Sequence, residues 1–192
     1  EYGGCGEHTV RGGLTTVRDA GVEFVNIGPL REDAADFLEA EYLWARPNTD
    51  TAIMLGLAHT LVAEGLHDQA YLDTHCVGFD KFLSYLMGDT DNQPKDANWA
   101  AEICGLSAET LRALARRMAA TRTLITTSLA VQRQDHGEQP LWMATTLAAI
   151  LGQIGLPGGG VGFAYGAANS IGNPAQRVIM PRLPTLENPF DN

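Results

Sequence analysis

The stretch TLITTSLAVQRQDHGEQPLWMATTLAAILGQIGLPGGGVGFAYG, residues 123 to 166, decides the fold. It begins with the β-branched apolar run Leu124-Ile125-Thr126-Thr127 and crosses a polar loop holding Gln132, Arg133, Asp135 and His136. It then enters an apolar segment from Glu138 to Gln153 that suits a helix. A strand, a loop and a helix in that order set backbone N–H groups and a positive helix end at the strand's carboxyl end, where α/β proteins hold anionic ligands. The glycines at 152, 155, 158, 159, 160 and 162 come after the helix, so they are no dinucleotide fingerprint, and no phosphate-loop GK[ST] pair is present. They suit a helix C-cap with a flexible connection, or bare backbone lying close to a ligand or a neighbouring domain.

Working outward, Val22 to Ile27 alternates and is β-rich, which predicts a strand closed by Gly28-Pro29. Tyr42 to Ala45 predicts a second strand. Arg46-Pro47-Asn48-Thr49-Asp50 then opens a helix running to about Glu64, with Asn48 or Thr49 as cap and Asp50 in the first turn. Met54, Leu57, Ala58, Leu61 and Val62 form its core stripe, and His59 is read as a satisfied or exposed histidine. Ser107 caps a helix from Ala108 to Ala120, whose buried stripe is Leu111, Leu114, Ala115 and Met118 and whose Arg112, Arg116 and Arg117 face solvent. Residues 66 to 105 read as short helices, with Asp68, Asp80 and Asp96 near their starts, and Arg31 to Glu41 as an acidic, loosely helical turn. In the last helix Trp142, Met143, Leu147, Ile150, Leu151 and Ile154 are assigned to the core. The alternation of strand and helix predicts a three-layer, Rossmann-like α/β domain with a mainly parallel sheet and helices on both faces.

Residues 1 to 21 are read as a lead-in loop with a short helix from Leu14 to Ala20, residues 22 to 166 as the α/β domain, and residues 167 to 192 as an extended, proline-bearing arm. With 192 residues the chain is long enough to bury a sizeable core. Its net charge of −10 argues against nucleic acid and anionic membranes as partners, and it has no apolar run of membrane-spanning length. Cys5, Cys76 and Cys104 are odd in number and far apart, so no disulfide framework or iron–sulfur site is expected. No metal ligand set and no catalytic constellation is assigned. His136 and Glu138 lack a neighbouring nucleophile, which favours a loop-fixing role.

QRQDHGEQPLWM (132–143) followed by LAAILGQIGLPGGGVGF (147–163) resembles the molybdenum S/N-oxide reductases, the dimethyl sulfoxide, trimethylamine N-oxide and biotin sulfoxide reductases. Weaker similarity extends over PNTDTAIMLGLAHTL (47–61), VGFDKFLSYLMG (77–88) and WAAEICGLSAETLRALARRMA (99–119). The resemblance implies a bacterial oxidoreductase of periplasm or cytoplasm that carries molybdenum in a bis(molybdopterin guanine dinucleotide) cofactor and transfers an oxygen atom from a small sulfoxide or amine N-oxide. Since such enzymes are several times longer, it also implies that this chain is one cofactor-binding domain. Its partners would be the remaining domains and an electron donor, and alone it would hold half a cofactor site or none. A formate dehydrogenase or nitrate reductase type, a free-standing nucleotide-binding module and a ligand-free helical interaction domain are the alternatives.

Carried over position by position, the resemblance places cofactor contacts at three strand ends. At the first, the usual I-D-P reads Ile27-Gly28-Pro29, so the carboxylate is missing and only backbone contact is left at Gly28. At the second, Asn48, Thr49 and Asp50 match the guanosine region, where a carboxylate accepts from guanine N–H groups or ribose hydroxyls. At the third, a W-x-x-x-R pattern reads Leu129, Ala130, Val131, Gln132, Arg133. Leu129 can pack on a pterin face without donating a hydrogen bond, Ala130 follows it, and the donor fork of Arg133 suits pterin carbonyl or phosphate oxygens unless Asp135 or Glu138 pairs with it.

Overall fold

The helix α2, Asp50–Ala63, has seven consecutive buried residues from Ala52 to Ala58, followed by Thr60 and Leu61. A helix apolar on every side belongs at the centre of a domain rather than on its surface. The computed structural model, which describes residues 10–163, puts it there, with α5 (Ala97–Cys104), α6 (Ala108–Ala120) and α7 (Glu138–Ile150) packed around it. The crossing with α5 is close: a methyl added at Gly56 would stand 2.7 Å from the Ala100 methyl. The expected stripe of Met54, Leu57, Ala58 and Leu61 is buried, while Val62 is only partly so. Thr60, buried among them, donates its hydroxyl to the carbonyl of Gly56 at 2.9 Å and so leaves no orphan polar group.

The strands pair in parallel, as expected for an α/β domain. β1 (Val25–Gly28) lies beside β2 (Glu41–Trp44), and β3 (Leu124–Thr127) beside β4 (Gly160–Phe163). Among the described residues they form two separate two-stranded sheets. The β1–β2 crossover consists of two short 3-10 turns, Arg31–Asp33 and Asp36–Leu38. The β3–β4 crossover runs through α7. The strand β4 was not expected, since its residues lie in the glycine cluster. Its position follows from the polar contacts around Gln153, whose side chain accepts from the Thr123 N–H at 2.7 Å and donates to the Thr121 carbonyl at 3.0 Å. Arg122 donates to the Pro157 carbonyl at 2.8 Å, and the Gly160 N–H to the Thr123 carbonyl at 3.1 Å. Gly160, at φ +92°, makes the turn that a side chain would strain.

Local signals place most helix ends. Asp68, Asp96 and Ser107 accept from the N–H of Tyr71, Trp99 and Thr110 and cap α3 (Gln69–His75), α5 and α6. Asp80 instead lies inside the first turn of α4 (Phe79–Met87), which Gly78 precedes at φ +82°. The first helix, α1 (Val10–Asp19), starts earlier than its two glycines suggest. Thr15 and Thr16 bond back to the carbonyls of Arg11 and Gly12, and Arg18 reaches the Phe37 carbonyl at 2.7 Å. Trp142 departs from the expected core, being 69% exposed. The buried face of α7 is Pro140, Met143, Ala144, Leu147 and Ile150, and Trp142 falls on the other side with Thr145. The expected lead-in at residues 1–9, residues 164–166 of the domain and the arm at 167–192 lie outside the described residues. Among those described, no helix is long and apolar enough to cross a membrane.

Among the described residues one charged side chain is buried. The Lys95 side chain is 4% exposed and its ammonium donates to Asp91 (2.6 Å) and to the Gln93 carbonyl (2.5 Å). It also stands 4.3 Å from the centre of the Tyr85 ring and 5.9 Å from that of Trp99. Asp91 sits on the rim, so removing the lysine lets the carboxylate return to water, whereas removing the carboxylate strands an ammonium. Asp91→Ala is therefore expected to destabilise more than Lys95→Met, which keeps the apolar stem and costs about 1 kcal/mol; chemical denaturation of both variants checks the order. A second expectation concerns pH. Burial pushes the pKa of half-buried His59 down, against the pull of Asp96. The folded state then takes up its proton less readily than the unfolded chain, and stability contributed by neutral His59 is lost as pH falls below roughly 6.5. His59→Gln should flatten that part of the melting temperature profile.

Candidate functional site

The first group of expected contacts lies at the carboxyl end of the β1–β2 pair. Ile27 faces Leu43 and Gly28 faces Trp44 in register, and the Ala45 N–H donates to the Gly28 carbonyl at 3.2 Å. The chain leaving β2 is fixed by Arg46, whose N–H donates to the Cys104 carbonyl and whose guanidinium donates to the carbonyls of Glu102 (2.7 Å) and Ile103 (3.0 Å) at the end of α5. Asn48 then turns at φ +62°, a conformation asparagine tolerates better than most side chains. Thr49 occupies the N-cap of α2, but its hydroxyl turns back to the Arg46 carbonyl at 2.6 Å and caps nothing. The predicted cap is thus right in position and absent as a bond. The positive end of α2 is without a side-chain acceptor, and Asp50, the first residue of the helix, stands beside it.

The second group lies at the carboxyl end of β3. Ser128 accepts from the Ala130 N–H at 3.2 Å and starts a 3-10 turn, Leu129–Gln132. The Arg133 N–H donates to the Ala130 carbonyl at 2.9 Å, the Gln134 side chain to the Val131 carbonyl at 2.8 Å, and the Gly137 N–H to the Gln134 carbonyl at 3.1 Å. Leu129 is half-buried, whereas Ala130 and Arg133 are exposed. Asp135 and Glu138 face His136, at 3.9 and 3.7 Å. Arg133 pairs with neither, and no side chain among the described residues forms a salt bridge with it or with Asp50. Glu138 is held below the usual carboxylate range by its own backbone N–H, then by the Gln139 amide, with His136 adding to both. The loop is thus fixed by Ser128, Gln134 and backbone bonds rather than by His136, which is exposed on the surface. Ser128 was not singled out in the sequence, and Gly137 reads there as the residue that permits a tight turn before the helix. A serine just past a strand is the one local signal for the first.

The structure brings Ile27, Gly28, Asn48, Thr49 and Asp50 to one strand-pair end and Leu129, Ala130 and Arg133 to another. The two are not hydrogen-bonded to each other, and they share the support of α2 and α7. One presents acceptors and an open helix end, the other a guanidinium. A shallow depression beside the β1–β2 crossover, where Asn26, Asp36, Glu39 and Tyr42 meet, contains none of these eight residues; there Arg31 covers the Tyr42 ring at 4.9 Å. Among the described residues no three His, Cys, Asp or Glu side chains come together as metal ligands.

Comparison with known proteins assigns the chain. The family model "Molybdopterin oxidoreductase" matches residues 13–185. Biotin sulfoxide reductase of Cereibacter sphaeroides is 44% identical over all 192 residues, which amount to 26% of that protein. Dimethyl sulfoxide/trimethylamine N-oxide reductase of the same organism is 47% identical over 163 residues, 85% of this chain and 20% of the relative. Trimethylamine-N-oxide reductase of Salmonella typhi is 47% identical over 167 residues, again 85% of this chain and 20% of the relative. The chain therefore spans a fifth to a quarter of these curated relatives. Among solved structures, acetylene hydratase from Pelobacter acetylenicus shares the fold, with a TM-score of 0.63 over 76% of this chain and 19% of that one, at 23% identity. These relatives are named for sulfoxides and N-oxides, as the 132–163 segment suggested, and neither a free-standing nucleotide-binding module nor a helical interaction domain accounts for them. With its family model covering nearly the whole sequence, this chain belongs to the molybdopterin oxidoreductases.

Proposed function

We propose that this chain is a cofactor-holding domain of a molybdenum S/N-oxide reductase, and that the cofactor is the guanine dinucleotide form of the family's molybdenum–pterin group. The observation that carries this reading is the 44–47% identity to sulfoxide and N-oxide reductases over most or all of the chain. The residues present fit the group by their chemistry. An uncapped helix N-terminus with a neighbouring carboxylate suits a nucleoside that offers N–H and hydroxyl donors next to phosphate. A guanidinium without a salt-bridge partner among the described residues suits a pterin carbonyl or a phosphate oxygen.

In this reading Asp50 accepts from guanine or ribose, Thr49 and Asn48 shape the turn that presents it, and Gly28 and Ile27 lend backbone at close range. Arg133 donates to the pterin or pyrophosphate side, while Leu129 and Ala130 supply apolar surface next to it. When bound, the molybdenum–pterin group supplies the oxygen-atom transfer and the electrons for it. This chain's part is to bind and orient, and the 192 residues alone are expected to show no oxide-reductase turnover. Reduction of an S-oxide or N-oxide by the purified chain would refute that division of labour.

Calorimetry with GDP, GMP and NAD on the protein prepared without cofactor tests the nucleotide site. GDP is expected to bind in preference to NAD, and Asp50→Ala to weaken it about tenfold, the usual effect of losing one charge-assisted hydrogen bond. Equal binding of NAD and GDP would sink the guanine assignment. The missing carboxylate at position 28 gives a gain-of-contact test. Nothing lies within 4 Å of a Cβ added there and the backbone is not left-handed, so Gly28→Asp is expected to fold with stability within about 0.5 kcal/mol of wild type and to bind GDP more tightly.

A further inference from the structure

Gly137 is not a glycine for conformational reasons. At φ −63° and ψ −12° it adopts helical backbone open to any residue, and it is the residue from which α7 starts. Its missing side chain is explained by space. A Cβ there would collide with the carbonyl oxygen of Gln132 and stand 2.5 Å from the Gln132 carbonyl carbon and 2.8 Å from its Cα. These are backbone atoms, which cannot swing aside as the end of a flexible side chain would. Gln132 ends the 3-10 turn that contains Leu129 and Ala130, and Arg133 is the next residue. The bonds inside the loop, from Arg133 to Ala130, Gly137 to Gln134 and Gln134 to Val131, leave the segment 129–137 little freedom to absorb a displacement. The helix behind Gly137 is held in the core by Pro140, Met143 and Ala144, so a crowded contact moves the turn rather than the helix.

From this contact we infer that Gly137 is a positioning residue for Arg133: its bare Cα is the seat on which the backbone of Gln132 rests, and that seat sets where the guanidinium is presented. The inference rests on the proposed role of Arg133 toward the molybdenum–pterin group. Gly137 touches no ligand itself, and a methyl there removes no donor or acceptor. Its whole effect passes through the placement of its neighbour.

A double-mutant cycle on the intact, cofactor-loaded protein tests this, with the rate of cofactor release as readout, measured as molybdenum passing a filter and as fading of the bound cofactor's visible absorption. Arg133→Ala is expected to speed release about tenfold. Gly137→Ala should speed it comparably, and the double variant should release no faster than Arg133→Ala, because the seat has lost what it positions. A merely structural role would accelerate release by the same factor in both backgrounds, and that result overturns the inference. Wild-type release from Gly137→Ala beside fast release from Arg133→Ala overturns it while sparing the Arg133 contact. Wild-type release from Arg133→Ala overturns both. If Gly137→Ala does not fold, Ser128→Ala takes its place in the cycle, since it loosens the same turn without crowding α7. A smaller acceleration, absent in the Arg133→Ala background, supports the inference, and wild-type release from Ser128→Ala overturns it.

Discussion

The burial of α2 on all its faces is the constraint on which the rest depends. A helix that leaves no polar face for solvent must be covered on every side, and α5, α6 and α7 do this. Its middle, from Ala52 to Leu61, is enclosed, while its amino-terminal end emerges next to the β1–β2 pair. Asp50 is thereby held on a rigid element rather than a loop tip, where orientation toward a ligand is better defined. The same packing fixes α7, and α7 carries the loop after β3. Both groups of expected contacts thus rest on one core, although the strands that lead into them belong to different sheets.

The two ends present complementary chemistry. One has an open helix terminus and a carboxylate, the other a guanidinium, and both sit at strand carboxyl ends, where α/β architectures collect ligands. What holds these ends is mostly backbone hydrogen bonding to side chains that face inward or along the chain: Arg46 on α5's terminal carbonyls, Thr49 on Arg46, Ser128 on Ala130. Thr49 is the one expected contact position among these side chains, and neither the Asp50 carboxylate nor the Arg133 guanidinium is used.

Much of this was legible in the sequence where the signal is local. Ser107 with its apolar stripe, the capping aspartates 68 and 96, and the run 124–127 read directly because caps and periodicity are decided within a few residues. The strand at 160–163 did not, because its formation depends on Gln153 and Arg122 bonding across more than thirty residues of chain. Trp142 was misplaced for a related reason: a helix apolar over most of its surface does not announce which face the core will take. Sequence reading named eight positions as expected contacts, and the structure puts them at or just past strand carboxyl ends. The role of Ser128 was invisible, since it is a two-residue turn, and Gly137 was read as easing a turn because its contact with Gln132 exists only in the fold.

The engagement of the arginines has a consequence for ionic strength. Eleven of the thirteen basic residues are arginine, the exceptions being Lys81 and Lys95. Among the described arginines, residues 18, 46, 112, 116, 117 and 122 already donate to carboxylates, an amide or backbone carbonyls. In a chain of net charge −10, an approaching polyanion meets a repulsive long-range field, and attraction is local, as it would be beside Arg133. Screening weakens the far field, with a Debye length of about 8 Å at physiological salt, more than it weakens a direct hydrogen-bonded pair. On the proposed role of Arg133, moderate salt would favour the docking of a phosphate-bearing group, the reverse of its effect on proteins that gather anions with a basic surface.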